Sequence, residues 1–186
     1  LVGETLEGLS AVFVSHEHID HVSGLGTLAR RLGVPVYATP KTLERMPATV
    51  GELPRVEPFE AGDTLHVDGL TLTTYSVCHD AADPVSFVVE SHQGKLGIAS
   101  DLGRVSQLVK SRLQGAHALI IESNYCPDML RKGTYPAALQ QRIRGDYGHL
   151  SNSDMNSLLA DLLHDDLHYV VLAHVSEENN TVDLAR

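Results

Sequence analysis

The chain has 186 residues, 42% hydrophobic and 20% charged with no tryptophan, a size and composition that suit one domain with a sizeable core. No apolar run approaches the roughly 18 residues that span a bilayer, and Leu1 opens a short mixed segment without the basic start of a secretion signal. The formal charge of −10 excludes a wholly basic nucleic-acid-binding face, but not a locally positive site built on bound metal ions. The only cysteines, Cys78 and Cys126, do not suggest a disulfide framework, so a reduced, cytoplasmic chain is expected.

Residues 11–14 (AVFV) read as a buried strand, and residues 22–32 as a helix with apolar positions at Val22, Leu25, Leu28, Ala29 and Leu32, ended by Gly33 and Pro35. Residues 34–38 suit a second strand. Thr39-Pro40 starts a short helix to about Arg45, and the proline-containing stretch 47–58 reads as mostly irregular. Period-two runs follow at 64–68, 70–76, 85–90 and 95–99, separated by Gly, Asp and Pro turns. A helix is expected over 102–113, a buried strand over 117–121, helices over 135–143 and 153–163, and a last strand over 168–172. Interleaved strands and helices with hairpins in the middle make the class α/β.

Polar clusters recur just after apolar strands: SHEHIDH after AVFV, VCHD after LTLTTYS, SDLG after LGIA, ESN after ALII and AHVSEENN after YVVL. Functional groups are commonly mounted where rigid strands end and loops begin. In an extended segment residues two apart share a side, so His16, His18 and Asp20 converge, with His21 following on the turn into the helix. Imidazoles and a carboxylate at this spacing are what zinc takes as ligands. A lone histidine is usually a surface or hydrogen-bonded core residue, but four candidate ligands in six positions after a buried strand are not explained that way.

His16-Glu17-His18-Ile19-Asp20-His21 matches the HxHxDH signature of the metallo-β-lactamase superfamily, and the chain resembles that superfamily in the order of its later pieces: His79, Asp101 and His174. The resemblance implies an αββα sandwich, two mixed sheets flanked by helices, as a single domain over residues 1–186. It also implies two divalent cations: His16, His18 and His79 on one, Asp20, His21 and His174 on the other, and Asp101 between them. Zinc is the expected metal and manganese the alternative. Two cations, two aspartates and one hydroxide leave roughly +1 at the centre, which would attract an anion to this acidic chain. A water on such a pair ionises near neutral pH and becomes the nucleophile.

Further segments narrow the likeness. Glu122-Ser123-Asn124, then Gly148-His149-Leu150-Ser151-Asn152, then His174-Val175-Ser176 running into Glu178-Asn179-Asn180, are similar to the YycJ/WalJ-type group, regarded as metal-dependent 5′-to-3′ DNA exonucleases. Members of that group carry strands before HxHxDH where only some fifteen residues stand here, so the chain is expected to lack the first strands of the fold. Tyr125 and Cys126 stand where the group has a histidine and an aspartate. By the same resemblance, Asp20 and His149 are candidate catalytic residues, His149 protonating the leaving oxygen, and Asn124, Ser151 and Asn152 are candidate substrate contacts. Ser151 or Asn152 could equally cap the helix that follows, and Asp101 the helix expected from 102.

The leading expectation is a dinuclear hydrolase of phosphodiester bonds in nucleic acid, DNA before RNA. The acidic charge and the absence of an arginine-lysine cluster with interleaved aromatics weigh against it. One alternative keeps the metals and changes the substrate to a small thioester, lactone or cyclic phosphodiester. Another is a metal-stabilised binding protein without turnover.

Overall fold

The computed structural model describes residues 6–186, with the side chain of Glu7 left aside. The expectation about what precedes the HxHxDH segment falls largely on residues 1–5, outside that range. Two sheets stack face to face. The smaller holds β1 (Val12–Phe13), β2 (Val36–Ala38) and β3 (Val56–Pro58), all parallel. The larger has β4 (Thr64–Val67), β5 (Leu70–Ser76), β6 (Val85–Ser91), β7 (Gly94–Ala99), β8 (Ala118–Glu122) and β9 (Tyr169–Ala173) side by side in chain order. Its pairs are antiparallel from β4 to β7 and parallel from β7 to β9. Among the described residues only the larger sheet is therefore mixed; the smaller is wholly parallel.

Period-two alternation assembles the layers. In β2, Val36 and Ala38 bury against α2 (Leu25–Leu32), while Tyr37 between them turns to the other sheet. There it stacks on Phe13 at 4.6 Å between ring centroids, and Phe13 meets Phe87 of β6 edge-on at 6.0 Å. In β7, Ile98 joins this inter-sheet core, whereas Ala99 packs beneath α4 (Gln107–Leu113) and α7 (Asn152–Leu162) with Leu113, Leu119, Met155 and Leu158. The result is the expected helix–sheet–sheet–helix sandwich. No described helix is long and apolar enough to cross a membrane.

Most expected elements form, and the departures have local causes. The helix expected over 22–32 is split into α1 (Ile19–Val22) and α2 by Ser23-Gly24, where glycine disfavours helix by about 1 kcal/mol. The stretch 47–58 contains β3, whose Pro58 is tolerated because β3 is an edge strand. The helix expected over 102–113 begins only at Gln107, capped by Ser106, because the chain leaves β7 through left-handed backbone at Asp101, φ 55°. Asp101 is thus not a helix cap. Two short helices, α5 (Pro127–Lys132) and α8 (Val182–Ala185), join those expected; α3 (Pro40–Arg45) was foreseen, and α6 (Ala137–Ile143) falls inside its expected range.

Strand direction positions the site. β5 runs antiparallel to β6, and β6 to β7, so β5 runs the same way as β7, β8 and β9. Their C-terminal ends lie on one rim and lead to His79, Asp101, Glu122 and His174. The end of β1 reaches that rim through a hydrogen bond from Val85 N–H to the Ser15 carbonyl at 3.0 Å.

Candidate metal centre

His16 and His18 follow β1, His18 in extended backbone, but the alternation expected to carry Asp20 stops there. His18 is the N-cap of α1, with φ −60° and ψ 145°, and the first turn of that helix returns Asp20 and His21 to the rim. The ring of His21 comes to 4.2 Å from that of His16. Seven side chains scattered from residue 16 to residue 174 meet here, falling into groups whose ligand atoms all lie within 4.8 Å of one another.

His16, His18 and His79 form one such group. The Nδ1 of His79 lies 3.0 Å from the Gly148 carbonyl, an acceptor only, so Nδ1 carries the proton and Nε2 presents a lone pair. That Nε2 is 3.3 Å from Nδ1 of His18. The Nε2 of His16 is buried without a hydrogen-bond partner among the described residues. Burial pushes His16 down to about 3, so its imidazole is neutral. A neutral, buried, unpartnered ring nitrogen beside two others is costly unless something electropositive sits among them.

Asp20, His21 and His174 form a second group. Oδ2 of Asp20 lies 3.6 Å from Nε2 of His21 and 3.5 Å from Nε2 of His174. Zinc bonds of about 2.0–2.1 Å in a tetrahedron hold ligand atoms about 3.3 Å apart, close to these spacings. Asp101 stands beside both groups: Oδ1 is 3.9 Å from Nε2 of His79 and 3.2 Å from Nδ1 of His174, and Oδ2 is 3.3 Å from Nε2 of His21. Burial would raise its carboxyl, but the hydrogen bond from His21 and the charge of His174 outweigh that and hold it far below the usual carboxylate range. Asp101 and His174 both sit in left-handed backbone, at φ 55° and 52°, conformations that cost energy in residues other than glycine. The donor set fits two divalent cations sharing one carboxylate.

Glu122 entered the sequence reading only as part of the ESN segment, without a role of its own. Its carboxylate is fully buried at the end of β8 and accepts four N–H groups: Nδ1 of His149 and of His174, each at 2.8 Å, and the backbone N–H of Leu102 and Leu150. Both imidazoles are thereby fixed with the proton on Nδ1, leaving each Nε2 to act. The hydrogen bond to Glu122 pushes His174 up to about 9 against the opposing effect of burial. The available signal was a glutamate continuing the apolar run ALII.

His149 stands in the cleft, with its ring 5.1 Å from those of both His79 and His174. Of the expected substrate contacts, Asn124 lines the cleft but donates its side-chain N–H to the His174 carbonyl at 2.8 Å. Ser151 and Asn152 are buried and do not line the cleft. Ser151 caps α7 by accepting from Asp154 N–H, and Asn152 donates to Asn180 and Leu184 while accepting from Ser123. The GHLSN and HxSxxNN segments are thus stitched together as a buried polar scaffold that locks the His174 loop to the end of β8.

Gly148 makes a further expectation measurable. A Cβ there would lie 2.0 Å from the Ile143 carbonyl oxygen and 2.3 Å from that of Arg142. Gly148→Ala is expected to destabilise the fold by about 1–3 kcal/mol and lower its melting temperature by several degrees. It should also impair the site, since the Gly148 carbonyl orients His79. Conversely, zinc at a thousandfold excess over its dissociation constant should add about 4 kcal/mol, raising the melting temperature by roughly 10 °C. Chelation should reverse the shift in scanning calorimetry.

A cleft of about 380 Å³ opens over both groups, with the α6 side as its far wall. Comparison with known proteins agrees with this geometry. Residues 2–174 match the Beta-lactamase superfamily domain. The chain is 38% identical over 183 residues to Exodeoxyribonuclease YycJ of Bacillus anthracis, covering 97% of this chain and 69% of that protein. It is 33% identical to Exodeoxyribonuclease WalJ of Streptococcus pneumoniae serotype 2, covering 96% and 68%. Among solved structures, Zn(2+)-bound PqqB from Methylobacterium extorquens superposes with a TM-score of 0.67 at 25% identity, over 91% of this chain and 63% of that one. The chain thus spans about two thirds of the length of these proteins. It belongs to the metallo-β-lactamase superfamily, together with the YycJ and WalJ exodeoxyribonucleases it matches over nearly its whole length.

Proposed function

We propose that this chain hydrolyses phosphodiester bonds of DNA as a 5′-to-3′ exonuclease that uses two divalent cations, zinc first and manganese as the alternative. Its family and its named relatives make it a metal-dependent hydrolase. The observation that carries the finer reading is the position of the Asp101 carboxylate, 3.9 Å from Nε2 of His79 in one group and 3.3 Å from Nε2 of His21 in the other. When bound, the cations supply positive charge for a non-bridging phosphoryl oxygen and acidify water enough for it to attack phosphorus near neutral pH. His16, His18 and His79 would hold one cation, Asp20, His21 and His174 the other, and Asp101 both.

The remaining steps belong to the side chains. His149, held through Nδ1 by Glu122, presents Nε2 to protonate the departing oxygen. Asp20, more than half exposed, takes the proton of the attacking water and passes it to solvent. Glu122 keeps His174 and His149 in register. The ligands come from loops of both sheets, which suits a single domain over residues 1–186, and the two free cysteines suit a reducing cytoplasm.

The test uses a 5′-phosphorylated DNA duplex, labelled at either end, beside a panel of thioesters and lactones, with zinc or manganese. Mononucleotides released from the 5′ end are the expected result. Turnover of a small ester with the DNA left intact would overturn the nuclease reading, and the cleft volume of about 380 Å³ is within the range of small-molecule sites.

A further inference from the structure

α6 buries none of its residues, although it lies against the cleft. Leu139 and Ile143, four residues apart, share one face of α6, and Tyr135, one residue before the N-cap Pro136, continues their apolar stripe along the cleft. All three are half-buried and all three line the cleft that holds His149 and His174. The stripe is therefore not part of a core cluster; it is an apolar wall facing proposed metal ligands.

Arg142 stands beside this stripe and also lines the cleft. Its Nε donates to Oδ2 of Asp80 at 2.5 Å, and Asp80 is its only acceptor among the described residues. The pairing holds the guanidinium by one edge and leaves both terminal nitrogens for another acceptor. An apolar stripe with an aromatic at one end and a tethered cation at the other matches a nucleotide, which carries a flat base and a phosphate.

Resting on the phosphodiesterase reading, we infer that the cleft face of α6 is the nucleotide subsite, where Tyr135, Leu139 and Ile143 receive a base and Arg142 the phosphate next to it. The subsite gives the acidic chain a reason to hold nucleic acid apart from any basic surface. Contact to the base face rather than to base edges makes it tolerant of sequence. Asp80 then acts as a positioning residue, holding Arg142 by its Nε edge.

The experiment measures fluorescence anisotropy with two labelled hexamers, both with cleavage-resistant phosphorothioate linkages, on zinc-loaded protein. One is hexathymidylate and the other carries abasic tetrahydrofuran units of equal charge. The intact protein should bind the thymidylate about five- to a hundredfold more tightly. Tyr135→Ala and Leu139→Ala should shrink that ratio, whereas Arg142→Ala should weaken both hexamers alike by about tenfold. None of these residues is fully buried, and melting temperatures check that each variant is folded. Equal affinity for the two hexamers, no binding of either, or an unchanged ratio in the Tyr135 and Leu139 variants would overturn the subsite. Base-dependent binding by a protein that leaves phosphodiester DNA intact would keep the subsite and reject the nuclease.

Discussion

Asp101→Asn is expected to lower kcat/KM on DNA by at least about a thousandfold and to reduce bound metal from two ions per chain to one or none. The substitution keeps size and shape but removes the charge. In the native site Asp101 is nearly inaccessible, and its oxygens reach His79 on one side and His21 on the other. A neutral amide cannot balance two cations that are also ligated by neutral imidazoles. It would also turn an N–H toward one of them. Elemental analysis gives the metal count and steady-state kinetics the rate. The expected result is joint loss. A variant that kept both ions and its full kcat/KM would exclude a bridging role, while loss of activity with both ions retained would assign Asp101 to chemistry alone.

What could be read from the chain before folding was whatever is local. HxHxDH is dense enough to stand out, and the strands that carry the site are apolar runs ending in polar clusters. Glu122 was not legible in that way. Its meaning lies in four N–H groups delivered by Leu102, His149, Leu150 and His174, which are neighbours only in space. Asn152 shows the converse: a polar residue inside a motif invites a functional role, and its amide closes a buried network with Ser123 and Asn180. The left-handed backbone at Asp101 explains why the helix expected from 102 starts late, since the chain must leave β7 by a strained turn that aims the carboxylate at the rim. β3 was hidden because its pairing partner, β2, lies some twenty residues upstream and its proline masks the strand pattern.

His149→Gln separates proton transfer from metal binding, because His149 need not be a ligand for either group to be complete. Its Nδ1–H is anchored on Glu122, so the ring position is set, and only Nε2 faces the cleft. If Nε2 protonates the leaving oxygen, the loss must depend on how much help that oxygen needs. On DNA, where the leaving alkoxide is a poor one, kcat should fall by about 10²–10⁴ with KM nearly unchanged. On thymidine 5′-(p-nitrophenyl phosphate), whose phenolate departs unaided, the same variant should retain most of its rate. Metal content should remain that of the intact protein. An equal loss on both substrates would show that His149 positions the phosphate or a cation instead. A fall in metal content would move it into the ligand set with Asp101, Glu122 and His174, the four-residue group that the geometry also permits.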